Sequence, residues 1–139
     1  MKKLPQVSGL VLCDRVLFDT GTLEYTYSGV FHTLNLSFSD TPPHLLPRNQ
    51  WPLRPFTVCG TLFNGDVEGR MELLVSHLEW EKATYRQRRW VSYRPGRLYY
   101  LEIPVRECYF PAPGRYELTY SIEGTRLARR YFDILNRKE

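Results

Sequence analysis

Residues 110–135, FPAPGRYELTYSIEGTRLARRYFDIL, decide how the rest of the chain is read. Tyr116, Leu118, Tyr120 and Ile122 alternate with Arg115, Glu117, Thr119, Ser121 and Glu123. Such a period of two marks a strand with one buried and one wetted face. Pro113-Gly114 supplies turn chemistry ahead of it, and Glu123-Gly124 reverses the chain behind it. A second strand then runs to Phe132 and Ile134. There Ala128, Arg130, Phe132 and Ile134 share one parity while Leu127 has the other, so a bulge near Ala128–Arg130 is expected. Arg126, Arg129 and Arg130 suit an edge strand, because charge discourages edge-to-edge pairing.

The Tyr two residues after Gly114, with Leu118 two further on, resembles the tyrosine corner of immunoglobulin-like sandwiches. In such corners the phenol hydroxyl bonds backbone upstream while the ring packs in the core. The match rests on Pro113, Gly114, Tyr116 and Leu118. It makes Tyr116 and Leu118 structural residues. Leu118 stands where antibody domains carry a Cys, so no inter-sheet disulfide forms at that place.

Composition points the same way. The 139 residues read as one domain, 1–139. A chain of that size buries about two thirds of its unfolded surface, so it folds without disulfide or metal. Ten Tyr, with Val, Thr and Leu in short runs, favour strands over helices. Ten Pro and nine Gly supply frequent punctuation. No stretch offers three helical turns with a cap.

Taken in order, residues 7–18 form a first strand, with Leu10–Cys13 covered on both faces and Asp14-Arg15 interrupting it. Asp19–Thr22 is a turn. In 23–38, Leu23, Tyr25, Tyr27, Gly29 and Phe31 share one parity and Leu34, Leu36 and Phe38 the other. The phase switch near His32 implies a bulge, a kink or two separate strands, and a strand could pass between sheets there. Further strands are expected at 56–63, from Met71 to near Trp80, at 84–93 and at 98–105, with the hairpin of 110–135 last. The fold expected is all-β, an immunoglobulin-like antiparallel β-sandwich of seven or eight strands.

The stretch LCDRVLFDTGTLEYTYSGVF, the segment PFTVCGTL and the final FPAPGRYELTYSIEG together resemble a small bacterial family known as a domain of unknown function. The matching motifs are Cys13-Asp14-Arg15, Gly29-Val30-Phe31 and Pro113-Gly114-Arg115-Tyr116. The resemblance implies an immunoglobulin-like sandwich and no assigned activity.

Residues 39–55, SDTPPHLLPRNQWPLRP, form a loop longer than that family's. Leu45, Leu46, Trp51 and Leu53 are costly to leave in water. The plainer reading has the loop capping an open end of the sandwich. The sharper one makes it a partner-binding loop anchored by Trp51.

The run from Lys82 to Arg97 is basic throughout, with Lys82, Arg86, Arg88, Arg89, Arg94 and Arg97, Trp90 among them and no acid. Basic groups interleaved with aromatics suit a single-stranded nucleic acid. The plainer reading is a solvated sheet face whose Arg stems cover apolar surface. The net charge of +4 permits anionic partners without demanding them.

Catalysis is not expected. His32, His44 and His77 stand apart, and Cys13, Cys59 and Cys108 lack metal spacing, so neither metal nor cofactor is implied. His77-Leu78-Glu79 spells half of the zinc deaminase signature, whose second half is missing. A Cys59–His77 pair meeting across strands is not required by anything in the sequence. Buried reduced thiols place the protein in the cytoplasm. Lys2-Lys3 followed by Leu10–Cys13 looks faintly like a lipoprotein signal, but Leu12 is too large for the position before the Cys. No apolar run spans a bilayer, so no membrane role is expected. The function expected is a non-catalytic protein-interaction module, working through the loop or an exposed edge, where a homo-oligomer would also form. The alternative is a weak single-stranded nucleic-acid binder using the 82–97 face.

Overall fold

The computed structural model describes residues 3–137. Eleven strands lie among them: β1 (Gln6–Val7), β2 (Val11–Cys13), β3 (Arg15–Asp19), β4 (Glu24–Ser28), β5 (Thr33–Leu36), β6 (Phe56–Phe63), β7 (Val67–His77), β8 (Lys82–Tyr93), β9 (Leu98–Val105), β10 (Gly114–Ile122) and β11 (Thr125–Asn136). The expected count of seven or eight is too low because the two N-terminal regions break. Residues 7–18 divide at Ser8–Leu10 and again at Asp14, and 23–38 divides around His32. β7 also starts earlier than Met71 and ends at His77, short of Trp80. Met1 and Lys2, the head of the lipoprotein-like stretch, lie outside the described residues.

Two sheets pack face to face. In one, β6 pairs with β9 on one side and with β1 and β2 on the other, all antiparallel. The second runs β5-β11-β10-β7-β8. It is antiparallel except where β5 joins β11 in parallel. Leu12, Val58, Leu62, Ile103 and Val105 of the first sheet meet Leu73, Val75, Leu118, Ile122, Phe132 and Ile134 of the second in one buried cluster. Their alternation along each strand puts them all on the inner faces.

The Tyr116 hydroxyl donates to the Ala112 carbonyl at 2.6 Å, and the ring is fully buried against Phe110 and Phe132. This is the tyrosine corner. Two packed antiparallel sheets closed by that corner form the immunoglobulin-like sandwich. The β10–β11 hairpin turns on Glu123 (φ 48) and Gly124 (φ 80), the two positive values of a primed two-residue turn. The bulge falls at Leu127, one residue before the expected stretch, since Tyr120 pairs with Ala128 and Ser121 with Arg126. β11 is only half an edge. β5 covers it from Asp133 onward, which leaves the Arg-rich part unpaired on that side.

β3 and β4 form a separate hairpin, joined by the expected turn. Asp19 Oδ1 accepts the N–H of Gly21 at 2.8 Å, and the Leu23 N–H bonds the Asp19 carbonyl at 2.8 Å. The phase switch near His32 marks the passage between sheets, because β4 belongs to this hairpin and β5 to the five-stranded sheet. The hairpin folds over the outer face of the β6 sheet. Tyr25 meets Tyr100 of β9 at 4.8 Å, and Tyr27, on the same face, lies within electrostatic reach of Cys13 and Cys59.

Candidate interaction surfaces

The Pro-rich loop forms two single 3₁₀ turns, Pro43–Leu45 and Arg48–Gln50. It closes the end of the sandwich where β7 ends and β8 and β10 begin. The Phe110 N–H bonds the Pro52 carbonyl at 2.8 Å, Leu53 bridges Tyr109, and the Arg48 guanidinium donates to the Thr84 carbonyl. Trp51 is half-buried, and its indole N–H is used inside the loop, on Pro43 O at 3.0 Å. It therefore takes part in the cap while one side stays open to solvent. Leu46 is also partly covered, while Leu45 and Leu53 stay exposed. A cleft of about 110 Å3 lies between Trp51, Trp80, His44 and Pro111.

The basic run looks different beside its neighbour. β8 pairs with β7, which brings Glu68 and Glu72 onto the same outer face. Glu72 Oε2 lies 2.6 Å from Arg88 Nε and 3.7 Å from Arg86 Nε. The Trp90 indole donates to Glu68 at 3.1 Å. Arg86, Arg88 and Trp90 do share a face, while Arg89, opposite Met71, points to the other side. Arg94 and Arg97 belong to the turn before β9 and are exposed. The acids that temper this face sit on the preceding strand, so a linear scan of 82–97 does not see them.

His77 is buried under the corner. Its Nε2 lies 3.0 Å from the Pro113 carbonyl, and its ring contacts Tyr116 and Trp80. Nδ1 is the one buried side-chain polar atom without a hydrogen-bond partner among the described residues. His77 does not meet Cys59, which lies in the other sheet with its sulfur 3.7 Å from that of Cys13. Burial, the leading cause for both thiols, raises Cys13 and pushes Cys59 up to about 12. These are inert thiols by that measure. Among the described residues no three of His, Cys, Asp and Glu are grouped as a metal would need. Among the described residues no helix is long and apolar enough to cross a membrane.

The Cys13-Asp14-Arg15 and Gly29-Val30-Phe31 motifs converge. Asp14 at the end of β2 forms an ion pair with Arg54, whose guanidinium lies 5.7 Å from the Phe31 ring centre. The Asp14 N–H bonds Ser28 O at 2.9 Å, and the Phe31 N–H bonds Leu12 O at 3.0 Å. Gly29 (φ 71) lies so close that a Cβ there would fall 2.2 Å from the Asp14 carboxylate. This junction anchors the root of the β3–β4 hairpin.

The surface that the sequence did not announce is the far part of the hairpin face that meets β9. Phe18 and Tyr25 pair across the strands at 4.7 Å, and Tyr25 continues onto Tyr100 at 4.8 Å. Phe18 is 47% exposed, Tyr100 59% and Leu23 at the tip 72%, with Leu17 and Leu98 also open. The parity of Leu23, Tyr25 and Tyr27 signalled a strand face but gave no sign that nothing would cover it.

No family model and no curated protein matches the chain. A solved structure of an immunoglobulin-like protein from Pseudomonas aeruginosa is similar to it at 13% identity, with a TM-score of 0.40, over 95% of this chain and 97% of that one.

Proposed function

We propose that the protein is a non-catalytic interaction module that binds a protein partner through the aromatic ridge of the β3–β4 hairpin. One observation carries this reading: Tyr25 contacts both Phe18 and Tyr100, yet about half of each of the three stays in water. Contiguous exposed apolar surface on a folded chain marks an interaction site, and Tyr and Phe are favoured anchors there. The ridge stands on a hairpin rooted by the Asp14–Arg54 ion pair, so it is held in place before any partner arrives. We also assign the chain to the small family of unknown function that it resembles, because the Cys13-Asp14-Arg15 and Gly29-Val30-Phe31 motifs form one junction. A reducing, cytoplasmic setting suits the free thiols of Cys13, Cys59 and Cys108.

The test is site-specific photo-crosslinking in extract of the native host. A photoreactive residue at Leu23 should give an adduct with one protein species, while the same residue at Arg126 on the charged face should not. Equal adducts from both positions, or none from Leu23, would remove the reading.

A further inference from the structure

The ridge leaves the free edge of β8 unexplained. β8 spans 12 residues and ends the five-stranded sheet, with β7 as its strand neighbour. An unpaired edge presents a row of N–H and C=O groups that another strand can use. Near its start that row is occupied, where Arg48 caps the Thr84 carbonyl. From Tyr85 to Tyr93 no backbone bond from another segment reaches it among the described residues.

The edge is also short of negative charge. Residues 82–93, KATYRQRRWVSY, contain no acid. On the outer face Arg86 and Arg88 share the single carboxylate of Glu72. On the inner side Arg89 has no carboxylate within ion-pair reach among the described residues. Beside Arg89 the two sheets part, and a cleft of about 160 Å3 opens between β8 and β9. Met71, Val91, Leu101 and Ile103 supply its apolar walls. The Tyr93 and Tyr120 hydroxyls satisfy each other there at 2.7 Å. The cleft is well below the roughly 300–1,000 Å3 of a small-molecule pocket and suits one side chain.

We propose that β8 accepts an extended acidic segment of a partner protein as an added strand, with one apolar side chain of that segment seated in the β8–β9 cleft. Alternation along the added strand sends every second residue to the outer face, where acids meet Arg86 and Arg88. The residues between them face inward, toward Arg89, Val91 and the cleft. Glu102 on the opposite lip turns an acid away from the cleft itself, which leaves that place to the apolar side chain. A second copy of this chain does not fit. Its own β8 would set Arg86, Arg88 and Arg89 against their like, and like charges opposed across a strand pair repel. This rests on the reading of the chain as a protein-interaction module but uses a surface that meets the ridge only at Tyr100, on the rim of the cleft.

The experiment follows backbone amide resonances of the intact protein during titration with short capped peptides. One peptide alternates Glu with Val and Leu; in a second Lys replaces Glu, and in a third Thr does. A fourth is the Glu peptide with alternate backbone nitrogens methylated. The Glu peptide is expected to shift the amides of Arg86–Val91, and the Lys and methylated peptides to leave them in place. Arg86→Glu with Arg88→Glu is expected to weaken the Glu peptide about tenfold or more and to favour the Lys peptide. Equal shifts from the Glu, Thr and Lys peptides would overturn the acidic partner. Binding by the methylated peptide, or no shift at β8 from any of them, would overturn strand addition. Crosslinking from Leu23 is unaffected by any of these results, so the ridge stands or falls separately.

Discussion

The sulfurs of Cys13 and Cys59 lie 3.7 Å apart on neighbouring strands, both buried. They face away from the main core, since Leu12 and Val58 between them point into it. The β3–β4 hairpin lies over that outer face, with Tyr27 within electrostatic reach of both thiols. Tyr27 and Tyr25 share one face of β4, so the same face shields the thiols near the root of the hairpin and presents the ridge nearer its tip.

That geometry sets the first expectation. Neither thiol should react readily with iodoacetamide near neutral pH, because burial holds both in the unreactive protonated form. Tyr27→Ala should speed labelling of Cys13 and Cys59 and leave Cys108, which lies in the main core, unchanged. Mass-spectrometric labelling rates decide it; equal acceleration of all three would mean that the whole chain has loosened.

Stability should fall in alkali. Burial pushes Cys59 and Cys108 up to about 12 from 9.0, and it also raises the phenols of Tyr116 and Tyr120 above 10.0. In each case the folded value exceeds the unfolded one, so the unfolded chain loses its protons first as pH climbs. The stabilisation is whole below about pH 9 and drains away above it. Thermal midpoints should therefore decline steadily from about pH 9 toward 12, and Cys108→Ala should soften the slope. A midpoint that is level across that range contradicts the assignment.

Tyr116→Phe removes one buried hydrogen bond and should cost about 1 kcal/mol. Tyr116→Ala also empties the space against Phe110 and Phe132 and should cost about 3–5 kcal/mol. Urea denaturation midpoints give both values.

Gly29→Ala should destabilise by about 1–3 kcal/mol, because the new methyl group would meet the Asp14 carboxylate. Asp14→Ala removes the clash but leaves the left-handed φ of 71, so it should recover only part of the loss. A double-mutant cycle in urea reads the coupling. Strict additivity would mean that the two residues do not touch.

How much of this could be read beforehand follows from the kind of signal each feature leaves. Tyr116 to Ile122 alternate cleanly because one side of β10 is dry and the other wet, and a local pattern suffices to see that. Asp14-Arg15 marks the interruption that separates β2 from β3, but the break at Ser8–Leu10 was invisible, since an apolar run such as Leu10–Cys13 reads alike whether or not a strand precedes it. Arg86 and Arg88 looked unopposed because Glu72 reaches them through strand pairing, 16 residues from Arg88 in sequence. The Trp51–Pro43 hydrogen bond was not legible because a backbone carbonyl partner leaves no mark in side-chain chemistry. The exposure of Phe18, Tyr25 and Tyr100 depends on where a two-stranded hairpin lands, which no periodicity encodes.

The central claim is that the ridge binds a partner and does not merely hold the fold. Crosslinking from Leu23 in the Phe18→Ser, Tyr25→Ser variant tests it most directly, with the denaturation midpoint of the same variant measured alongside. About half of each ring is already in water, so stability should drop by no more than about 1–2 kcal/mol while the adduct disappears. An adduct of undiminished yield from the folded variant would contradict the account.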